Sequence, residues 1–130
     1  MTSIEELKSK FLVSGNVSET QMHSLLQIAV NHCAVDPNGN VEIKNQKVTT
    51  KDKLMLVLAA RFVAHALEGS IPAEVSNEEL ARNARSEGKQ VRARLSELVK
   101  DRQIEMVSRG TYRALLHRVE PFLSTLPLQN

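Results

Sequence analysis

Aromatic residues and cysteine are scarce in this chain of 130 residues. It contains no Trp, and only 3% of its residues are aromatic. Proteins that bind single-stranded nucleic acid by stacking bases on side chains need several aromatic rings, so that mode of binding is not expected here. The single cysteine, Cys33, excludes a disulfide within the chain and a metal site built from several cysteines.

Long hydrophobic runs are also missing. The longest apolar run, Leu54–Ala60, is followed by Arg61 and is too short to cross a bilayer. The first ten residues are mostly polar or charged and lack the apolar centre of a signal peptide. We therefore expect a cytoplasmic protein that does not bind a membrane. The hydrophobic content of 42% is enough for one compact core.

Positive charge is concentrated in the second half of the chain. The net charge of the whole protein is +2, but residues 76–118 contain ten Lys or Arg against six Asp or Glu. That segment is therefore +4 and the remainder is −2. A basic half within a nearly neutral chain indicates one surface that faces a polyanion.

The first 50 residues are expected to form a helical extension with a short hairpin. Ser3 and Ser18 are candidate N-caps of two amphipathic helices, and the second carries apolar residues as far as Cys33. This position makes Cys33 a small core residue of that helix. Turn-forming residues follow, and the alternating segment 41–44 then predicts a strand.

Residues 51–67 are expected to form the central, buried helix, because apolar residues cover most of its circumference. Arg61 and His65 lie about one turn apart on this helix, and we place them at its exposed edge. Gly69 ends the helix, and the Ile71-Pro72 pair begins a linker.

After the linker, the spacing predicts two short helices, two strands and a closing helix. Ser76 and Glu79 form a capping box, in which the hydroxyl accepts the N–H of Glu79 and the carboxylate reaches back to Ser76. The two helices span 77–85 and 88–102, the strands meet at a turn over 108–110, and the closing helix covers 119–126.

In this order the elements resemble the winged helix-turn-helix domains of prokaryotic transcription regulators. The motif Glu79-Leu80-Ala81 lies in the first helix of the pair, and apolar residues follow at family-like spacing: Val91, Leu95, Leu98 and Ile104. The segment from Arg109 to Arg113 matches a wing, and the resemblance covers about residues 51–115. Where the family often has glycine, this chain has Arg85-Ser86 and Arg102-Gln103, and a positive φ at a non-glycine residue costs about 1 kcal/mol.

The resemblance implies a mainly α fold with three parts. These are an N-terminal helical extension with a short hairpin (1–50), a winged helix-turn-helix domain with a β-hairpin wing (51–118), and a C-terminal short helix and tail (119–130). It also implies double-stranded DNA as the partner and a role in transcription regulation. The hydrophobic residues outside the winged domain exceed what a minimal winged helix needs, which favours a homodimer. Paired copies would also match palindromic sites. No cofactor is expected.

The helix at 88–102 is the expected recognition helix, since its basic and small residues face away from its apolar stripe. Arg reads guanine and Gln reads adenine through paired hydrogen bonds, whereas wing residues suit phosphate or minor-groove contacts. The residues expected to read bases are Lys89, Gln90, Arg92 and Ala93, and Ser96 is small enough to let the helix approach the groove floor. The residues expected to hold the DNA backbone are Lys100, Arg109 and Arg113.

Two other interpretations of the same segment stay open. Winged helices also serve as protein-interaction modules, and Glu87, Glu97 and Asp101 reduce the positive charge of the recognition helix. RNA binding is a weaker alternative because the chain is poor in aromatic residues.

Neither an enzyme nor a metal site is expected. The chain has no phosphate-binding glycine loop and no nucleophile elbow. Asp36, Asn38 and Asn40 have the alternate spacing of a calcium loop, but Lys47 stands where the closing Glu is required. His32 and Cys33, as neighbours on a helix, point about 100° apart and do not share a metal ion by themselves.

Overall fold

Five helices and two small antiparallel sheets make up the part of the chain that the computed structural model describes, which is Ile4 and residues 19–126. The helices are α1 (Glu19–Ala29), α2 (Thr50–Leu67), α3 (Asn77–Ala84), α4 (Gly88–Lys100) and α5 (Leu116–Thr125). The strands are β1 (Cys33–Val35), β2 (Val41–Ile43), β3 (Val75–Ser76), β4 (Ile104–Ser108) and β5 (Thr111–Ala114). The fold is mixed α and β, whereas the sequence predicted a mainly α one. The N-caps predicted at Ser3 and Ser18 lie outside the described residues.

Helix α2 is the centre of the core. Thr49 begins it by accepting the backbone N–H of Asp52 at 3.1 Å. Every residue from Leu54 to Arg61 is buried, and α1, α3, α4, α5 and strands of both sheets pack around it. The prediction of a central, buried helix is confirmed.

Strands β1 and β2 form the first antiparallel sheet, with Cys33 opposite Ile43 and Val35 opposite Val41. The prediction that Cys33 lies on a helix is wrong, because α1 ends at Ala29 and a turn brings the chain into β1. Cys33 is nevertheless buried in the core. The predicted strand near 41–44 is confirmed as β2, and its partner β1 begins at Cys33, which the sequence placed at the end of the helix.

The second sheet has the order β3–β5–β4, and both pairings are antiparallel. The predicted strands around the turn at 108–110 are confirmed as β4 and β5. The register shifts between Met106 and Ser108, so Val107 forms a bulge in β4. Strand β3 consists of Val75, which the sequence assigned to the linker, and Ser76, the predicted N-cap, and it pairs Val75 with Tyr112.

Helices α3 and α4 form a pair that packs on α2. The Ser76 hydroxyl accepts the N–H of Glu79 at 3.2 Å, which confirms half of the capping box. The other half is wrong, because the Glu79 carboxylate binds Arg61 instead. Leu80 and Ala84 of α3, and the α4 stripe of Val91, Leu95 and Leu98, are buried. The helix pair followed by a hairpin is compatible with a winged-helix arrangement.

Arg61 is buried with only 3% of its surface exposed, so its predicted place at an exposed edge is wrong. Its guanidinium donates to the Glu79 carboxylate at 2.8 Å. It also donates to three backbone carbonyl oxygens, those of Gly39 at 3.0 Å, Pro72 at 2.7 Å and Glu74 at 3.2 Å. A buried charge is tolerated when its donors are satisfied in this way. His65, by contrast, is exposed as predicted.

Asn83 connects the first sheet to the helix pair. Its side-chain oxygen accepts the backbone N–H of Val41, and its amide donates to the Glu79 carbonyl at 2.6 Å. Residues from the hairpin, such as Ile43, belong to the same buried cluster as residues from α3, α4 and α5. The hairpin therefore lies against the helix pair, while the three-part division of the chain stays a prediction.

Helix α5 begins at Leu116, three residues before the predicted start, and buries Val119 and Leu123. Among the described residues, no helix has both the length and the apolar character of a membrane span.

Candidate functional site

One face of α4 is exposed along its whole length. The six predicted DNA-binding residues of this helix all lie on it: Lys89, Gln90, Arg92, Ala93, Ser96 and Lys100. The opposite face, with Val91, Leu95 and Leu98, is buried against the core. Because the helix is fixed by its apolar stripe, the structure brings the six residues together on one outward surface, which we call the α4 face.

The basic side chains of the α4 face are not engaged by any residue that the structure describes. Within the described part of the chain, Lys89, Arg92 and Lys100 have no ion pair and no side-chain hydrogen bond. The Arg92 guanidinium lies over the first turn, where its Nη1 is 3.6 Å from the position that a Cβ on Gly88 would occupy. These charges remain available to an external anion.

The first turn of α4 also favours negative charge. Its N-cap, Glu87, makes no side-chain capping hydrogen bond, and the turn contains no acidic residue. Uncapped N–H groups and the helix dipole both attract anions at this end of a helix. Lys89 and Gln90 lie in the same turn, so side-chain donors stand close to these N–H groups in the chain.

Two of the three carboxylates in and beside α4, those of Glu97 and Asp101, are paired with neighbouring cations. Lys51 of α2 lies 3.5 Å from the Glu97 carboxylate and 3.6 Å from that of Asp101. Arg94 also contacts Glu97, at 3.1 Å. These pairs hold both carboxylates on the side of α4 that faces α2, and they offset the negative charge that the sequence placed on the recognition helix.

The wing places its two arginines differently. Arg109 is exposed at the turn between β4 and β5. The backbone N–H of Asn77, the first residue of α3, donates to the Gly110 carbonyl at 3.0 Å, so this turn is fixed to the helix pair. Arg113 is half-buried on β5, and its Nε donates to Glu105 on the opposite strand at 3.1 Å. Arg109 is therefore a further exposed basic side chain without a partner among the described residues, whereas Arg113 already has a carboxylate partner.

Sequence reasoning missed three further exposed arginines near the helix pair, Arg82, Arg85 and Arg102. None of their side chains has an ion pair or hydrogen bond within residues 19–126. Their signal in the sequence was the charge of the 76–118 segment, to which all three contribute.

The thiol of Cys33 is poorly suited to metal binding or nucleophilic chemistry. Burial raises its pKa to about 11, which outweighs the opposite effect of Lys44. Its Sγ donates to the Ala29 carbonyl at 3.5 Å. A thiol with a raised pKa is rarely deprotonated at neutral pH, so it is a weak ligand and a weak nucleophile. No group of three His, Cys, Asp or Glu side chains suited to a metal ion occurs among the described residues.

The segment 36–40 is a closed turn. The Asp36 carboxylate accepts the backbone N–H groups of Asn38 and Asn40, each at 2.9 Å. The Asn40 hydrogen bond is the main reason that the pKa of Asp36 is lowered. Its oxygens are therefore occupied by the turn itself, as expected for a hairpin connection.

Comparison of the chain with protein-family models, with curated proteins and with solved structures finds no match. The function is therefore inferred from the residues and geometry of the chain itself.

Proposed function

We propose that this protein binds double-stranded DNA as a winged helix-turn-helix protein and acts in transcription regulation. The observation that carries the proposal is the α4 face, an exposed row of basic, amide and small side chains without partners in the described part of the chain. The Arg109 turn, fixed to the start of α3, supplies a second basic element from the same helix pair.

The dimensions of α4 suit a major groove. A helix with its side chains is about 10–12 Å wide, and the major groove of B-DNA is about 12 Å wide. We assign Lys89, Gln90, Arg92 and Ala93, in and beside the first turn, to the base edges. Ser96 lies along the groove floor, and Lys100 and Arg109 bind phosphates. Arg113 reaches a phosphate with its Nη groups while its Nε stays on Glu105.

A titration with duplex DNA tests this proposal. Fluorescence anisotropy of a labelled duplex of mixed sequence is followed as protein is added, over a series of salt concentrations. We expect the logarithm of the affinity to fall against the logarithm of salt with a slope of about −4 to −6, because several phosphates release their counterions together. An absence of binding at low salt, or a slope near zero, would contradict the proposal.

A homodimer is part of the same proposal, since two copies double the interface and match palindromic sites. Light scattering at micromolar concentration gives the mass in solution. We expect twice the chain mass of 14.5 kDa, and the mass of one chain would refute this part alone.

The protein-interaction module is a second candidate, and one observation favours it. Met106 and Val107 on β4 are 49% and 37% exposed, and neighbouring exposed apolar side chains suit a protein partner better than they suit phosphates. Under this alternative the duplex titration shows no binding, and a protein partner covers the β4 side of the wing.

A further inference from the structure

Two arginines end the helices of the pair in a conformation that favours glycine. Arg85, the C-cap of α3, has φ 53° and ψ 48°, and Arg102, two residues after α4, has φ 57°. Among the described residues these are the only non-glycine residues with a positive φ. The left-handed region is unfavourable for a residue with a Cβ, and helices commonly place glycine there.

The arginine side chains are not needed to end the helices. The hydrogen bonds that close them come from the backbone: Arg85 to Arg82 and Ser86 to Ala81 after α3, and Arg102 to Val99 and Gln103 to Leu98 after α4. Glycine makes the same bonds without the strain. Both arginine side chains are exposed, and neither has a partner within residues 19–126.

The two positions lie on either side of α4. Arg85 precedes its first residue, Gly88, and Arg102 follows its last, Lys100. A helix of 13 residues is about 20 Å long, which exceeds the width of about 12 Å between the walls of a major groove. The ends of such a helix therefore extend beyond the base edges that its central residues reach, and residues next to those ends lie near the phosphates that line the groove.

We propose that Arg85 and Arg102 are phosphate contacts that bracket α4, an inference that rests on the proposed DNA-binding function. The guanidinium pairs with a phosphate through two parallel hydrogen bonds, which neither glycine nor asparagine provides. This contact explains why a charged residue occupies two strained positions where its side chain does nothing for the described fold.

The test replaces each arginine with glycine, singly and together, and measures both stability and DNA binding. For each single variant we expect an unchanged Tm or an increase of about 2–5 °C, because the strain is relieved. The affinity for duplex DNA is expected to fall about tenfold, and the salt slope to become less negative by about 1 for each arginine removed.

Arg85→Lys and Arg102→Lys are the matched controls, since they keep the charge and the strained backbone. They are expected to keep a Tm and a salt slope near those of the natural protein. The inference is overturned if the glycine variants bind with unchanged affinity and slope, or if they lower the Tm, which would make the arginines structural. If the natural protein does not bind DNA, the proposed function is contradicted. If the natural protein binds DNA and the glycine variants bind equally well, only the inference about Arg85 and Arg102 is contradicted.

Discussion

Replacing Lys89 and Arg92 together with glutamate is expected to abolish binding of duplex DNA while leaving the protein folded. Each residue is exposed on the α4 face and has no ion pair or side-chain hydrogen bond in the described chain, so the substitution removes neither kind of contact there. Two lost base contacts are worth about 2–6 kcal/mol, and two carboxylates near the DNA add repulsion. We expect an affinity loss of at least about a hundredfold by fluorescence anisotropy.

The control for this double variant changes the net charge equally at other positions. Lys44 and Lys47 are exposed in and beside the first hairpin, outside the proposed interface, and the one hydrogen bond of their side chains among the described residues is from the Lys44 ammonium to the Val30 carbonyl. Changing both to glutamate is expected to weaken binding by less than about tenfold, through long-range repulsion alone. Equal losses in the two double variants would show that binding follows net charge and would count against a dedicated α4 face. An unchanged circular dichroism spectrum shows that each variant is folded.

Replacing Arg61 with methionine is expected to lower the free energy of unfolding by about 3–5 kcal/mol. The methionine matches the length of the side chain but leaves three carbonyl oxygens and the Glu79 carboxylate without their donor. A buried acceptor without a partner costs about 1–3 kcal/mol, which applies in full to the Gly39 carbonyl. The bonds to Pro72, Glu74 and Glu79 are part-buried, so water compensates part of their loss. Urea denaturation gives the free energy and its m-value.

Arg82→Met is the matched control for Arg61→Met, since Arg82 is exposed on α3 and has no partner within the described residues. It is expected to change the free energy of unfolding by less than about 0.5 kcal/mol. The free energy of unfolding of Arg61→Lys is expected to lie between those of Arg61→Met and Arg82→Met, because one ammonium group does not reach all four oxygens. If Arg61→Met is as stable as Arg82→Met, the guanidinium contacts contribute nothing to the fold.

Elements defined by local patterns were predictable from the sequence. Three features depend only on residues within a few positions of one another. They are the apolar circumference of α2, the Ser76 cap of α3, and the turn between β4 and β5. The exposed face of α4 was predictable for the same reason, since helical periodicity fixes which residues oppose the buried stripe.

Features that depend on distant segments were not predictable. An arginine on a helix has the same sequence signature whether it is buried or exposed, and the partners of Arg61 lie in the 36–40 turn, the linker and α3. Strand β3 has two residues and exists through its pairing with β5. In the candidate site, the pairing of Arg113 with Glu105 follows from the register of the wing, and the balancing of Glu97 and Asp101 follows from the packing of α2 on α4.

The bulge at Val107 has a consequence for the behaviour of the protein at high concentration. Within the described part of the chain, strand β4 forms an open edge of its sheet. It carries exposed Met106 and Val107, and this combination ordinarily favours edge-to-edge aggregation. A bulge twists an edge and interrupts the regular row of N–H and C=O groups that an incoming strand must match. The opposite edge, β3, is only two residues long. Neither edge therefore offers a long, regular template for growth of the sheet into an aggregate.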